Sequence, residues 1–213
     1  KQPDSAQYCA TLMFDLANKE GLIKQQADAL NIIGISFAIR GNYAQAIERY
    51  KRGLRLLEDI GDKQGEARLL NNIGILYKDQ GNFEMALDHH ERSLAIRQEI
   101  KDEAGIVTSL INIGAVQKEM GDYQQALENF NQSLEMCQAM NNVTRMGSCY
   151  NNIGAIYREW DEYETAIEYY QKSLDIDMQT GNQKGMAGSL NNIGNCYRLL
   201  GDHTRALEYS DQA

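Results

Sequence analysis

Three histidines, four cysteines and a few paired carboxylates are the residues of this 213-residue chain whose types could do chemistry. At the right spacing they would ligate a metal, activate a nucleophile or share a proton. Their spacing argues otherwise. His89 has no second ligand four residues along a helix. His90 falls in a slot filled elsewhere by Tyr50, Phe130 and Tyr170, and His203 in one filled by Tyr43, Phe83, Tyr123 and Tyr163. Both read as packing residues. Cys9, Cys137, Cys149 and Cys196 form no CxxC pair and no zinc-like spacing. Cys196 stands where Ser36, Leu76, Val116 and Ile156 stand, as a small core residue would. Cys137 and Cys149 flank one turn, but unplanned pairings are rare and no disulfide is expected. The carboxylate pairs Glu58/Asp59 and Asp175/Asp177 fall on outward-facing helices and read as solvated surface. Phosphate-cradling loops are absent, because every glycine fits a turn or a helix crossing. The chain is therefore expected to be no enzyme, with no catalytic residue, no metal site and no cofactor.

The polar residues that do recur are asparagines. "NNIG" stands at 71–74, 151–154 and 191–194, with "NIIG" at 31–34 and "INIG" at 111–114. Asparagine and glycine are poor helix formers, yet the flanking apolar residues recur at helical spacing. The glycines Gly34, Gly74, Gly114, Gly154 and Gly194 are forty residues apart without a slip. Seven residues after each comes Gly41, Gly81, Gly121, Asp161 or Gly201, and twelve after comes Ala46, Ala86, Ala126, Ala166 or Ala206. Such self-similarity marks a repeat architecture. Each unit reads as two antiparallel helices of about 25 Å, joined by a turn whose glycine supplies the left-handed residue a helix end favours. The expected layout is one domain over 1–213: residues 5–20 as the second helix of a preceding repeat, full repeats at 24–61, 64–101, 104–141 and 144–181, and a partial repeat at 184–213.

The order of small residue at Gly74, aromatic at Tyr77, turn glycine at Gly81, aromatic at Phe83, alanine at Ala86 and a further ring at His90 resembles the tetratricopeptide repeat family. The likeness covers nearly the whole chain. It departs in a period of forty rather than thirty-four and in the missing closing proline, as in the longer-helix branch of Partner-of-Inscuteable-type scaffolds, the kinesin light chain and bacterial signalling proteins. The resemblance implies an all-α fold, a right-handed superhelical α-solenoid of antiparallel helix pairs. It also implies that the first helix of each pair lines a concave wall, where matching asparagines of the family hold bound peptides.

Close approach of the first helix to its partner accounts for the glycines. The asparagines need another account. At about 100° per residue, Asn71, Ile75 and Lys78 share a stripe with Arg68 beside it and Asn72 at its edge, while Leu70, Ile73, Gly74 and Tyr77 face the core. Repeated, the stripe becomes a ladder of Asn31, Asn71, Asn151 and Asn191 beside Asn72, Asn112, Asn152 and Asn192. A carboxamide both donates and accepts, so such a ladder can pair with an extended peptide main chain. It can also bond repeat to repeat and stiffen the stack, and both roles stay open here. Lys78, Lys118, Arg158 and Arg198 occupy one slot in four successive units. In a chain of formal net charge −9 (21 Lys and Arg against 30 Asp and Glu), four cations in register suggest a groove for acidic side chains or a terminal carboxylate. Asp79, Glu119 and Glu159 follow three of them and could pair between neighbouring repeats along the rim. Ile35, Ile75, Ala115 and Ala155 would form a modest apolar floor.

The function expected is a protein–protein interaction scaffold that binds an extended or helical, acidic peptide segment. One alternative is a sensory or regulatory input module of a bacterial signalling protein such as a cyclase, sensor kinase or transcription regulator. Another is homo-oligomerisation through uncapped repeat ends. The acidic balance argues against nucleic acid. No apolar run is long enough to insert into a membrane, and a soluble fragment, with the cytoplasm favoured, is the expectation for location. The opening "KQPDSAQ" and the closing "EYSDQA" read as a piece of a longer chain.

Overall fold

A computed structural model describes residues 3–213, with side-chain surroundings from Ser5 onward. The described residues form eleven helices: α1 Pro3–Lys19, α2 Ile23–Ile39, α3 Tyr43–Ile60, α4 Lys63–Asp79, α5 Phe83–Glu99, α6 Glu103–Met120, α7 Tyr123–Ala139, α8 Val143–Glu159, α9 Tyr163–Thr180, α10 Gln183–Leu199 and α11 His203–Gln212. Their contacts divide into two units, residues 1–112 and 113–213, with the division inside α6. In unit 1, α2 packs on α3 and α4 on α5, while α1 leans on α2 and α3 on α4. In unit 2, α8 packs on α9 and α10 on α11, while α7 leans on α8 and α9 on α10.

Local chemistry sets the helix boundaries. Asp62, Asn82, Asp102, Asn142, Asn182 and Asp202 each accept, on a side-chain oxygen, the backbone N–H three residues on, satisfying a donor that the first turn leaves open. At the other end most breaks turn on a glycine of positive φ. The non-glycine residues that take this conformation are Lys101, Asn141 and Asp161, at φ 58°, 52° and 61°.

At Gly34, Gly74, Gly114 and Gly154 the mid-helix glycine faces a ring from the following helix, whereas Gly194 meets the Ala206 carbonyl oxygen at 3.2 Å and Ser210 Oγ at 3.4 Å. A Cβ at Gly34 would overlap the Tyr50 ring, and one at Gly74 would come within 2.7 Å of the His90 ring. At Gly114 and Gly154 the neighbours are Phe130 at 2.9 Å and Tyr170 at 3.0 Å, with the Ala126 and Ala166 carbonyl oxygens at 3.2 Å. The glycine thus admits a ring as well as a close backbone. Gly188 differs: it lies inside α10, and a Cβ there would meet nothing within 4 Å, so it serves neither a turn nor a crossing.

This contrast gives an expected result. Alanine gains about 1 kcal/mol over glycine in a helix interior, so Gly188→Ala should raise the urea midpoint. Gly34→Ala should lower it, because forcing a methyl into a filled core costs about 1–3 kcal/mol.

Candidate functional site on the asparagine faces

Asn31 of α2, Asn71 and Asn72 of α4 and Asn112 of α6 come together in unit 1. Asn72 Nδ2 donates to Asn31 Oδ1 at 3.0 Å, and Asn112 Nδ2 to Asn71 Oδ1 at 2.7 Å. In unit 2, Asn192 Nδ2 donates to Asn151 Oδ1 at 3.0 Å. The register is forty-one residues, so the second asparagine of one repeat reaches back to the first of the repeat before. Asn152 differs: its Nδ2 donates to the Ser148 carbonyl of its own helix at 2.9 Å. Asn191 is exposed.

The bonds between repeats and a role in binding are compatible. Each pair uses one amide hydrogen and one lone pair of groups that offer more. Asn71 is sequestered, at 7% exposure, whereas Asn31, Asn72, Asn112, Asn151, Asn152 and Asn192 are half-buried. Removing Asn112 therefore leaves a buried acceptor on Asn71 without its donor. Asn112→Ala is expected to cost about 1–2 kcal/mol in urea unfolding, and Asn152→Ala, which severs only a bond within its own helix, well under half of that.

Lys78, Lys118 and Arg158 are half-buried, and each sits with the acid that follows it in the chain: Asp79 at 3.9 Å, Glu119 at 3.6 Å and Glu159 at 2.5 Å. The pairing that the sequence suggested between repeats runs instead between chain neighbours. Arg198 is exposed, followed by Leu199, and held by Asn195 Oδ1 at 2.7 Å. Arg68 pairs with Asp28 at 2.5 Å. Partly exposed pairs of this kind contribute little to stability and can exchange partners. Of the expected apolar floor, Ile35 is exposed, Ile75 and Ala115 are half-buried and Ala155 is buried.

Several residues stand apart from their sequence reading. His203 is exposed at the start of α11 rather than packed. His90 is buried as expected, its ring against Gly74. His89 is also buried, its ring tilted 5.2 Å from that of Tyr77, and burial holds its pKa below the ordinary value. Cys137 and Cys149 are free, buried and hydrogen-bonded to each other, and burial pushes the Cys149 thiol up to about 12. Asp175 is exposed, but Asp177 is buried and accepts Asn182 Nδ2 at 2.7 Å. Its solvated reading failed because the side chain points at the turn before α10, where Gly185 leaves it room. Among the described residues no group of three or more His, Cys, Asp or Glu is placed to hold a metal ion, and no helix is long and apolar enough to cross a membrane.

Helix pairs in tandem, whose leading helices carry one polar face in register, define a helical-repeat scaffold. The tetratricopeptide repeat model matches residues 25–99, 65–139, 105–179 and 145–213; the chain belongs to the tetratricopeptide repeat family, as a scaffold for protein–protein interaction. Comparison with curated proteins gives no match. Among solved structures, BtubC (BKLC) from P. vanneervenii is 18% identical and superposes with a TM-score of 0.84 over 100% of this chain and 89% of its own. A Rap protein complexed with Competence and Sporulation Factor is 18% identical, TM-score 0.77, with 90% of this chain and 53% of that one covered. Aspartyl phosphate phosphatase F from Bacillus subtilis is 17% identical, TM-score 0.80, with 93% and 52% covered. The chain spans about half the length of these last two. At such identities the likeness is one of fold.

Proposed function

We propose that the asparagine faces of the leading helices hold an extended peptide segment of a protein partner, with Lys78, Lys118, Arg158 and Arg198 selecting acidic side chains or a terminal carboxylate. One observation carries this reading: carboxamides and cations recur at fixed positions of the leading helices, and all but the buried Asn71 keep contact with water. A peptide main chain is met by amides whatever its side chains, and cations whose own acids sit beside them exchange those acids for a ligand's without a large desolvation penalty. That a fold neighbour was solved in complex with Competence and Sporulation Factor is consistent with this use of the fold.

The test is fluorescence anisotropy with labelled acidic peptides. Lys118→Glu with Arg158→Glu should weaken binding at least tenfold, about 1.4 kcal/mol or more, and Asn152→Ala should weaken it while the melting midpoint stays put. Affinity unaltered by the charge reversal would remove the acidic selection. The length of the Rap protein and of phosphatase F, about twice the matched region, favours a second reading as one module of a larger signalling protein, which the full-length gene would decide.

A further inference from the structure

Unit 2 contains a polar crevice of about 380 Å³ between α8, α9 and α10, within the size range of small-ligand sites. Asp177 lines it and is 8% exposed. The same construction occurs eighty residues earlier in unit 1. There Ser93 Oγ donates to the Ala67 carbonyl at 2.8 Å, Ser109 Oγ to Ser93 Oγ at 3.4 Å, and Gly105 N to Asp102 Oδ1 at 2.9 Å. In unit 2, Ser173 Oγ donates to the Gly147 carbonyl at 3.0 Å, Ser189 Oγ to Ser173 Oγ at 3.3 Å, and Gly185 N to Asn182 Oδ1 at 3.2 Å.

The frames match; their filling does not. In unit 1 the frame holds Arg97, 8% exposed, whose guanidinium donates to the Gly105 carbonyl at 2.5 Å and to Ser109 Oγ at 3.2 Å. The equivalent residue in unit 2 is Asp177, shorter and opposite in charge. Thr108 is likewise replaced by Gly188, around whose Cα there is open space, although a mid-helix glycine costs about 1 kcal/mol. A Cβ at Gly185 would overlap the Asp177 carboxylate, so that glycine too keeps the acid in place. We propose that this crevice receives the guanidinium of an arginine side chain on the peptide partner, with the Asp177 carboxylate as its counter-ion. The ligand's guanidinium supplies from outside what Arg97 supplies from within in unit 1, and a carboxylate pairs a planar guanidinium by two parallel bonds. Lys184 stands at the crevice as an exposed cation, where water and salt screen it; Asp177 lies where they do not. Arg198, in the cation register, is ten residues from Gly188 along α10, about 15 Å. The face of unit 2 thus offers a carboxylate toward one end and cations toward the other. The inference rests on the reading of these faces as peptide-binding, and names one side chain the peptide carries.

The experiment is an NMR titration of the ¹⁵N-labelled chain with N-acetyl-argininamide, its neutral isostere N-acetyl-citrullinamide, and the acidic peptide of the preceding test. Argininamide should shift the amides of Ser148, Gly185, Gly188 and Ser189 in a saturable way, and citrullinamide should bind at least tenfold more weakly. Asp177→Asn should weaken argininamide at least tenfold. Asp177→Arg, which copies unit 1, should abolish binding in a chain that still melts cooperatively; if that variant fails to fold, the near-isosteric Asp177→Asn decides alone. Argininamide shifts that are absent, shared by citrullinamide or unchanged by Asp177→Asn overturn the proposal. If the acidic peptide still binds in that case, the peptide reading survives and only the arginine pocket is lost.

Discussion

Truncating Phe130 to alanine is expected to lower the stability of unit 2 by about 3–5 kcal/mol, the range for deleting a wholly buried ring. Phe130 is 0% exposed and lies over Gly114. The informative measurement is the cycle with Gly114→Ala. In the parent, a methyl at 114 would sit 2.9 Å from the Phe130 ring and destabilises despite the better helix propensity of alanine. With residue 130 already alanine, the ring is gone and only the Ala126 carbonyl oxygen, at 3.2 Å, still crowds the methyl. Gly114→Ala should therefore be markedly less destabilising there, with a coupling of about 1–3 kcal/mol. Equal effects in the two backgrounds would show that the glycine answers to the backbone alone.

Acidification is expected to remove about 3 kcal/mol through His90. Its ring is 1% exposed over Gly74, and neither ring nitrogen has a hydrogen-bond partner. Burial, followed by the nearby Lys78, holds its pKa down at about 4 against an ordinary 6.5. Between these values the unfolded chain binds the proton and the folded chain does not, so stability rises with pH there. The contribution is complete above about 6.5, is lost as the pH falls toward 4, and levels off once the folded form also protonates. About 2.5 pH units at 1.36 kcal/mol each gives the magnitude. His90→Phe, which installs the residue of the Phe130 slot, should remove this dependence. The unfolding free energy of His90→Phe relative to the parent should rise by about 3 kcal/mol from pH 7 to pH 4. A constant difference would mean that His90 is solvated or already charged at neutral pH.

Unfolding also separates the two properties of the asparagine faces. Asn112 acts on stability through Asn71, whereas Asn152 acts within its own helix. A ladder that only stiffened the stack would give a binding function no reason to depend on Asn152.

The sequence by itself determined the repeat, the helices and the family. Periodic apolar residues and glycine at the breaks are local signals, and five copies in phase reinforce one another. It also placed the asparagines and cations on shared faces, because angular position on a helix follows from spacing alone. Only the tertiary structure decided which groups meet. Asn72 finds Asn31, and Asn112 finds Asn71, through a register that depends on how successive pairs stack. Lys118 and Arg158 turn to chain neighbours rather than to the next repeat. Asp177, an ordinary surface acid by pattern, is enclosed because the first turn of α10 passes over it at Gly185. Burial, pairing and the space around Gly188 are properties of distances between residues far apart in the chain, and a periodic pattern specifies directions on a helix but no distances between helices.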